Sequence, residues 1–352
     1  MVNGMRADGM IRKQKTPEVV LFCKYNFHHS CMDPISKELS KLGIDHLLTS
    51  KRHIVYDMFE QTKEKFPLFA IADEWGNLFR DISEILITVG HSMASKNTTL
   101  DSKNSLMDYI YVPSQFYKTE FIKRNINPKK EIIITGYPAA SKLFRKELDL
   151  HSVWSDKFIS SKPKILFAPT YNRDLSLMET IIAEEQFANL FLRMNYEYKI
   201  TWKLHPVLPK KYPHQIKFIK HLSEKYENIY YHENSHEDIT NAILWADVVV
   251  GDCSGALFLA LAGEKPVIAF DNPDRKRSPY YDETGPEWVL RDDYAYRITS
   301  SEMCKLPNII KEVLEFDYKK SSRESVTNLL FENQTNAEKV IAQHIAGLVN
   351  KK

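Results

Sequence analysis

Four short stretches place polar side chains where apolar, β-branched runs break off, and each combination suits phosphate or proton chemistry. In "TVGHSMASKN" the run Ile85 to Val89 ends in Gly90 and His91, with Ser92, Ser95 and Lys96 behind it. A histidine there can act as a general base, because its ordinary pKa near 6.5 lets it accept a proton at neutral pH. Lys96 can meet a phosphate. In "ITWKLHPVLP", Lys203 and His205 alternate with Trp202 and Leu204 and stop at Pro206, so both are expected on one face of a strand end. A lysine and a histidine side by side suit a phosphate oxygen that needs a charge and a hydrogen bond. "FAPTYNRD" adds Thr170 and Arg173 as candidate phosphate contacts. The plain alternative at each place is a satisfied loop residue or an ordinary turn.

The fourth stretch is "ADVVVGDCSGALFLALAGEKPVIAF". Val248 to Val250 read as a strand buried on both faces. Ser254 can cap a helix through Leu261, which Gly263 ends and Pro266 forbids from continuing, and Val267 to Phe270 form the next strand. Asp252, Ser254 and Gly255 then lie in a turn at the carboxyl end of a parallel strand, where open α/β sheets bind ligands. A helix start there offers N–H groups and a positive dipole end to an anion. An ordinary βα loop with a serine cap is the competing reading.

The same alternation runs along the whole chain. "EVVLFCKY" reads as a strand and "PISKELSKLGI" as a helix with Pro34 at its start and Gly43 at its end. "HLLTS", "LFAIAD", "EILITVG", "DYIYVPS" and "EIIITGYP" complete one half. "KILFAPT", "YKITWKLHP" and "NIYYHEN", with helices between them, begin a second. Two Rossmann-like, doubly wound parallel sheets in tandem are expected, facing each other across a cleft. Residues 1–150 would form the first domain and 151–335 the second, with 336–352 a last helix packing back on the first. Glu287, in "SPYYDETGPEWVLRD", is a further candidate at the rim of a pocket.

Composition sets bounds. The 352 residues fit two domains at ~150 residues each. A net charge of +2 gives no bulk field for a polyanion and no reason to expect nucleic acid. No run reaches the ~18 apolar residues of a membrane span, and the N-terminus is polar, so a cytoplasmic protein is expected. Cys23, Cys31, Cys253 and Cys304 are scattered, as reduced thiols are. "CKYNFHHSC" can be drawn as a metal site, but lacks the tight paired spacing of structural zinc. A loop after a strand is the better reading.

Taken in order, "GHS" with "SK", "TGYP", "APT", "KLHP" and "DCSGALFLALAGEKPVI" resemble the CDP-glycerol glycerophosphotransferase family, which includes teichoic acid primases and polymerases and capsule-synthesis relatives. The resemblance covers roughly the seventies to the 290s. It implies the GT-B architecture and a transferase that moves a polyol-phosphate unit from a CDP-activated donor to a hydroxyl of a cell-surface glycopolymer or its lipid-linked precursor, releasing CMP. It puts the catalytic base on His91, a second catalytic histidine at the donor phosphates on His205, and donor contacts on Lys203, Asp252, Ser254 and Gly255. The chain departs from the family pattern at Ser92, at Gly255 and at apolar Leu259. No firm cofactor is implied beyond a Mg²⁺ held mainly by the donor diphosphate. An acceptor at a membrane would suit a peripheral contact at its inner face, for which the lysine-rich "KKYPHQIKFIKHLSEKY" is a candidate. Rival readings are a nucleotide-sugar GT-B glycosyltransferase, a UDP-N-acetylglucosamine 2-epimerase-like enzyme and a non-enzymatic polymer-binding module.

Overall fold

The computed structural model describes residues 15–72, 75–94, 100–147, 161–172, 174–179, 185–233 and 237–350. Among these, twelve strands form two parallel six-stranded sheets. The first joins β1 (Val19–Phe22), β2 (His46–Thr49), β3 (Phe66–Ile71), β4 (Ser83–Thr88), β5 (Tyr109–Val112) and β6 (Glu131–Ile134) in the order β2-β1-β3-β4-β5-β6. The second joins β7 (Lys164–Ala168), β8 (Lys199–Trp202), β9 (Ile229–Tyr231), β10 (Val248–Gly251), β11 (Val267–Asp271) and β12 (Ala295–Thr299) in the order β12-β11-β10-β7-β8-β9. Central strands such as "VVLF" and "VVVG" are buried at every position, as a sheet covered on both faces requires. This is the GT-B arrangement, and the strand order of each sheet reverses once: between β1 and β3, and between β7 and β10. Those reversals are the crevices where such sheets take ligands.

One helix belongs to both halves. Gly255–Ala262 follows β10, yet Leu257, Phe258 and Leu261 lie in one continuous core with β1, β3 and β4 of the first sheet. A helix that meets apolar neighbours on nearly all sides can be apolar all round, which accounts for "GALFLALA". A separate core fills the outer side of the second sheet around Trp202, Phe167 and Phe191. The chain also returns at its end: helix Ala337–Val349 packs on helix His29–Lys41, with Ile341 and Ile345 fully buried. Tyr111 and His344 share a hydrogen bond of 2.7 Å, and Arg145 meets Glu338 at 2.7 Å.

Three local expectations need correction. The helix expected to start at Pro34 starts at His29, with Pro34 inside it. Pro34 cannot donate to the Ser30 carbonyl oxygen and its ring crowds it, yet the helix continues past it to the left-handed Gly43, φ 71°. β8 ends at Trp202, so Lys203 and His205 stand in the loop beyond it rather than on one strand face. In the lysine-rich helix Pro213–Lys225, Ile216, Ile219 and Leu222 are buried in the second core, so the apolar side is already occupied. None of the described helices is long and apolar enough to cross a membrane.

Gly136, φ 84°, lies against the C-terminal segment at Glu332, Asn333 and Ala337. A Cβ there would sit 2.5 Å from the Glu332 carbonyl oxygen and 2.8 Å from Ala337 Cβ. Strain at a left-handed position costs roughly 1–3 kcal/mol before any clash. Gly136→Ala is therefore expected to lower the thermal midpoint by several degrees and expose the last helix to limited proteolysis first.

Candidate active site

A cavity of about 370 Å³ opens between the two sheets, lined by loops from both strand-order reversals. It brings together His91, Ser92, Lys203, His205, Ser254 and Gly255. The approach of the two domains is close here, since a Cβ on Gly255 would stand 3.2 Å from Ser92 Oγ. Any side chain at 255 would crowd that gap.

His91 follows Gly90, whose φ of 69° turns the chain off β4. Its Nδ1 lies 2.8 Å from the carbonyl oxygen of Ala72, at the end of β3. A carbonyl only accepts, so Nδ1 carries the hydrogen, and the neutral ring keeps a lone pair on Nε2. The Tyr137 hydroxyl donates to the His91 carbonyl oxygen at 2.7 Å and fixes the backbone. His28 stacks on the ring with centroids 4.9 Å apart. Burial, then the nearby His91, lowers the His28 pKa to about 2, so this neighbour stays neutral.

His205 has the opposite polarity. The backbone N–H of Val207 donates to its Nδ1 at 3.3 Å, which leaves the hydrogen of the neutral ring on Nε2. Tyr171 packs on it at 4.4 Å between centroids, and Phe27 stands between the two catalytic candidates, 5.4 Å from His91 and 5.6 Å from His205. Lys203 is buried beside them. Burial lowers its pKa to about 8, and the carboxylates of Glu237 and Asp238 oppose that fall. Glu237 also meets His232 Nε2 at 2.7 Å, and burial followed by the Lys203 charge lowers the His232 pKa.

Ser254 caps helix Gly255–Ala262, its Oγ accepting from the Ala256 N–H at 3.2 Å. Asp252 and Thr170, expected as donor contacts, instead lie fully buried beneath the floor. The Asp252 carboxylate accepts from the backbone N–H groups of Thr170 at 2.9 Å and of Leu177 and Cys253 at 2.8 Å each. It ties the loop after β7 to the loop after β10. Arg291, also fully buried, locks the same turn from below: Nη2 donates to the Asp252 carbonyl oxygen at 2.6 Å and Nη1 to Asp271 at 2.7 Å. Glu287 is buried on helix Pro286–Val289 and does not line the cavity; its carbonyl oxygen accepts from Arg291 Nε at 2.8 Å. That carbonyl helps hold Arg291 in place. Lys96 and Arg173 lie outside the described residues.

Sequence reasoning missed Phe27, Tyr171, Glu237 and Asp238, all of which line the cavity, and the buried Arg291. Among the described residues, no group of three His, Cys, Asp or Glu is placed to hold a metal ion.

The comparisons with known proteins meet this geometry at its central part. The profile for CDP-glycerol:poly(glycerophosphate) glycerophosphotransferases matches residues 82–303, which contain both histidines, Lys203 and the Ser254 turn. The chain belongs to this family. A teichoic acid poly(ribitol-phosphate) polymerase of Bacillus spizizenii is 28% identical over 165 residues, 44% of this chain. The match spans only 25% of that longer relative. A variant of the wall teichoic acid polymerase TagF superposes with a TM-score of 0.72 at 14% identity, over 96% of this chain and 90% of that one. MnaA of S. aureus, solved with UDP, gives 0.65 at 13% identity, over 94% and 96%. At such identities these likenesses concern the fold.

The floor makes a prediction of its own. Asp252→Ala leaves buried N–H groups of two loops without their acceptor, at ~1–3 kcal/mol for each such group. Chemical denaturation should show a loss of several kcal/mol, with Asp252→Asn between the two.

Proposed function

We propose that the chain transfers a glycerol-phosphate or related polyol-phosphate unit from a CDP-activated donor to a hydroxyl of a poly(glycerophosphate)-type cell-surface polymer or its lipid-linked precursor, releasing CMP. The observation that carries this is the opposed polarity of the two histidines across one cavity: a lone pair on His91 Nε2 from one domain, a hydrogen on His205 Nε2 from the other. Family membership supplies the reaction class. A TagF variant has been solved after soaking with CDPG, which favours the same donor chemistry.

In the reaction, His91 Nε2 takes the proton of the acceptor hydroxyl. The new bond forms from that oxygen to the β-phosphorus, while the bond from the β-phosphorus to the bridging oxygen breaks. The bridging oxygen leaves on CMP. The Ala72 carbonyl oxygen holds Nδ1–H throughout and so stabilises the imidazolium that forms. Lys203, His205 and the start of helix Gly255–Ala262 meet charge on the phosphates, in a site where positioning and electrostatics supply most of the rate. A Mg²⁺ entering on the diphosphate would be held mainly by phosphate oxygens, and loss of activity in EDTA would reveal it. The acceptor approaches from the first domain. A peripheral membrane contact, if the acceptor is lipid-linked, would rest on the outer lysines of helix Pro213–Lys225.

Thermal-shift titration with CDP-glycerol, CDP-ribitol, CMP, UDP and UDP-N-acetylglucosamine tests the donor. Cytidine nucleotides should stabilise the fold, by ~2.7 kcal/mol at 100 times the dissociation constant; stabilisation by uridine nucleotides alone would sink the reading in favour of a sugar transferase or epimerase. His91→Ala should still bind CDP-glycerol while kcat falls by ~10² to 10⁴. Lys203 is cationic below its pKa of about 8 and neutral above. A bound diphosphate raises that pKa, so donor affinity should be flat up to about pH 8 and then weaken by as much as tenfold per pH unit. Lys203→Met should bind more weakly and lose this pH dependence.

A further inference from the structure

Helix His29–Lys41 leaves the crevice beside β1 and sends His29, Asp33 and Lys37 into the cavity wall at i, i+4 and i+8. These positions span ~12 Å along the helix at 1.5 Å per residue. The track begins next to His28, which stacks on His91, and ends at an exposed lysine. Lys142, exposed on helix Pro138–Phe144, lines the same wall. His29 Nδ1 lies 2.7 Å from Asp33 Oδ1. The carboxylate satisfies that side of the ring and directs Nε2 of the neutral imidazole outward as an acceptor.

The groups run in a graded order from the catalytic candidate: an acceptor for hydroxyls at His29, then two ammonium groups. A neutral polyol would need no cations there. A chain whose hydroxyl-bearing units alternate with phosphodiesters presents both groups in turn, with its terminal hydroxyl at His91. Of the cavity's carboxylates, Asp33 is paired with His29, Glu237 and Asp238 act on Lys203, and Asp238 also acts on Cys31 and Tyr137 of the first domain, while Lys37 and Lys142 are the exposed cations of that domain's wall.

We propose that this helix face, with Lys142, is the acceptor track, and that Lys37 and Lys142 bind an internal phosphodiester of a polyol-phosphate chain. The inference rests on the reading above for the direction of transfer, but chain binding itself needs no donor.

The test is fluorescence anisotropy with a labelled glycerol-phosphate oligomer, in parallel with CDP-glycerol thermal shifts on the same samples. Lys37→Glu/Lys142→Glu should weaken oligomer binding more than tenfold and keep the CDP-glycerol shift. Lys305→Glu/Lys311→Glu, the same charge change at exposed lysines away from the cavity, should bind like wild type. Equal oligomer affinity in the Lys37/Lys142 variant and wild type, or no binding by wild type, overturns the track. Equal weakening by both variants overturns it too, as bulk charge alone would then account for binding. Loss of binding only in the Lys37/Lys142 variant, with no CDP-glycerol shift in any sample, leaves the track standing and removes the donor assignment.

Discussion

The site depends on one buried carboxylate. Asp252 stands at the strand-order reversal of the second sheet, where the loops after β7 and β10 diverge and no ladder can hold them together. Backbone N–H groups at a sheet's end need partners, and burial without one is costly. A single carboxylate accepting from Thr170, Leu177 and Cys253 answers that need for both loops at once. Arg291 then binds the carbonyl oxygen of the same residue and the Asp271 carboxylate. Ser254 and Gly255 are held at the cavity because of what lies underneath them.

Much of this was legible because strand ends in parallel sheets converge on one edge. His91, Lys203, His205 and Ser254 could be placed at the cleft from the break in each apolar run alone. Side-chain direction was less accessible. A polar residue after a strand can face the ligand or turn back to cap the loops, and Asp252 and Thr170 do the second. Nothing in the local pattern separates these cases, since the deciding partners, Leu177 and Arg291, are distant in the chain. The His29–Asp33 pair was hidden for another reason. Proline is commonest at a helix start, so Pro34 suggested a boundary and broke the i, i+4 spacing that joins the two residues.

The two histidines show how the backbone can assign chemistry to identical side chains. A carbonyl oxygen beside His91 and an N–H beside His205 give the rings opposite hydrogen-bonding roles. His28 is kept neutral by burial, so the imidazole stacked on His91 adds no positive charge beside it.

Helix Gly255–Ala262 carries one more implication. Its first turn faces the cavity while its body forms part of the first domain's core, so the lining of the cavity and the packing of the opposite domain are written in the same eight residues. Exchanging whole second domains between relatives would bring a helix whose apolar surface does not match Leu143 and its neighbours. New ligand preferences in such a scaffold are therefore more readily reached by changing individual cavity-facing loop residues than by shuffling domains.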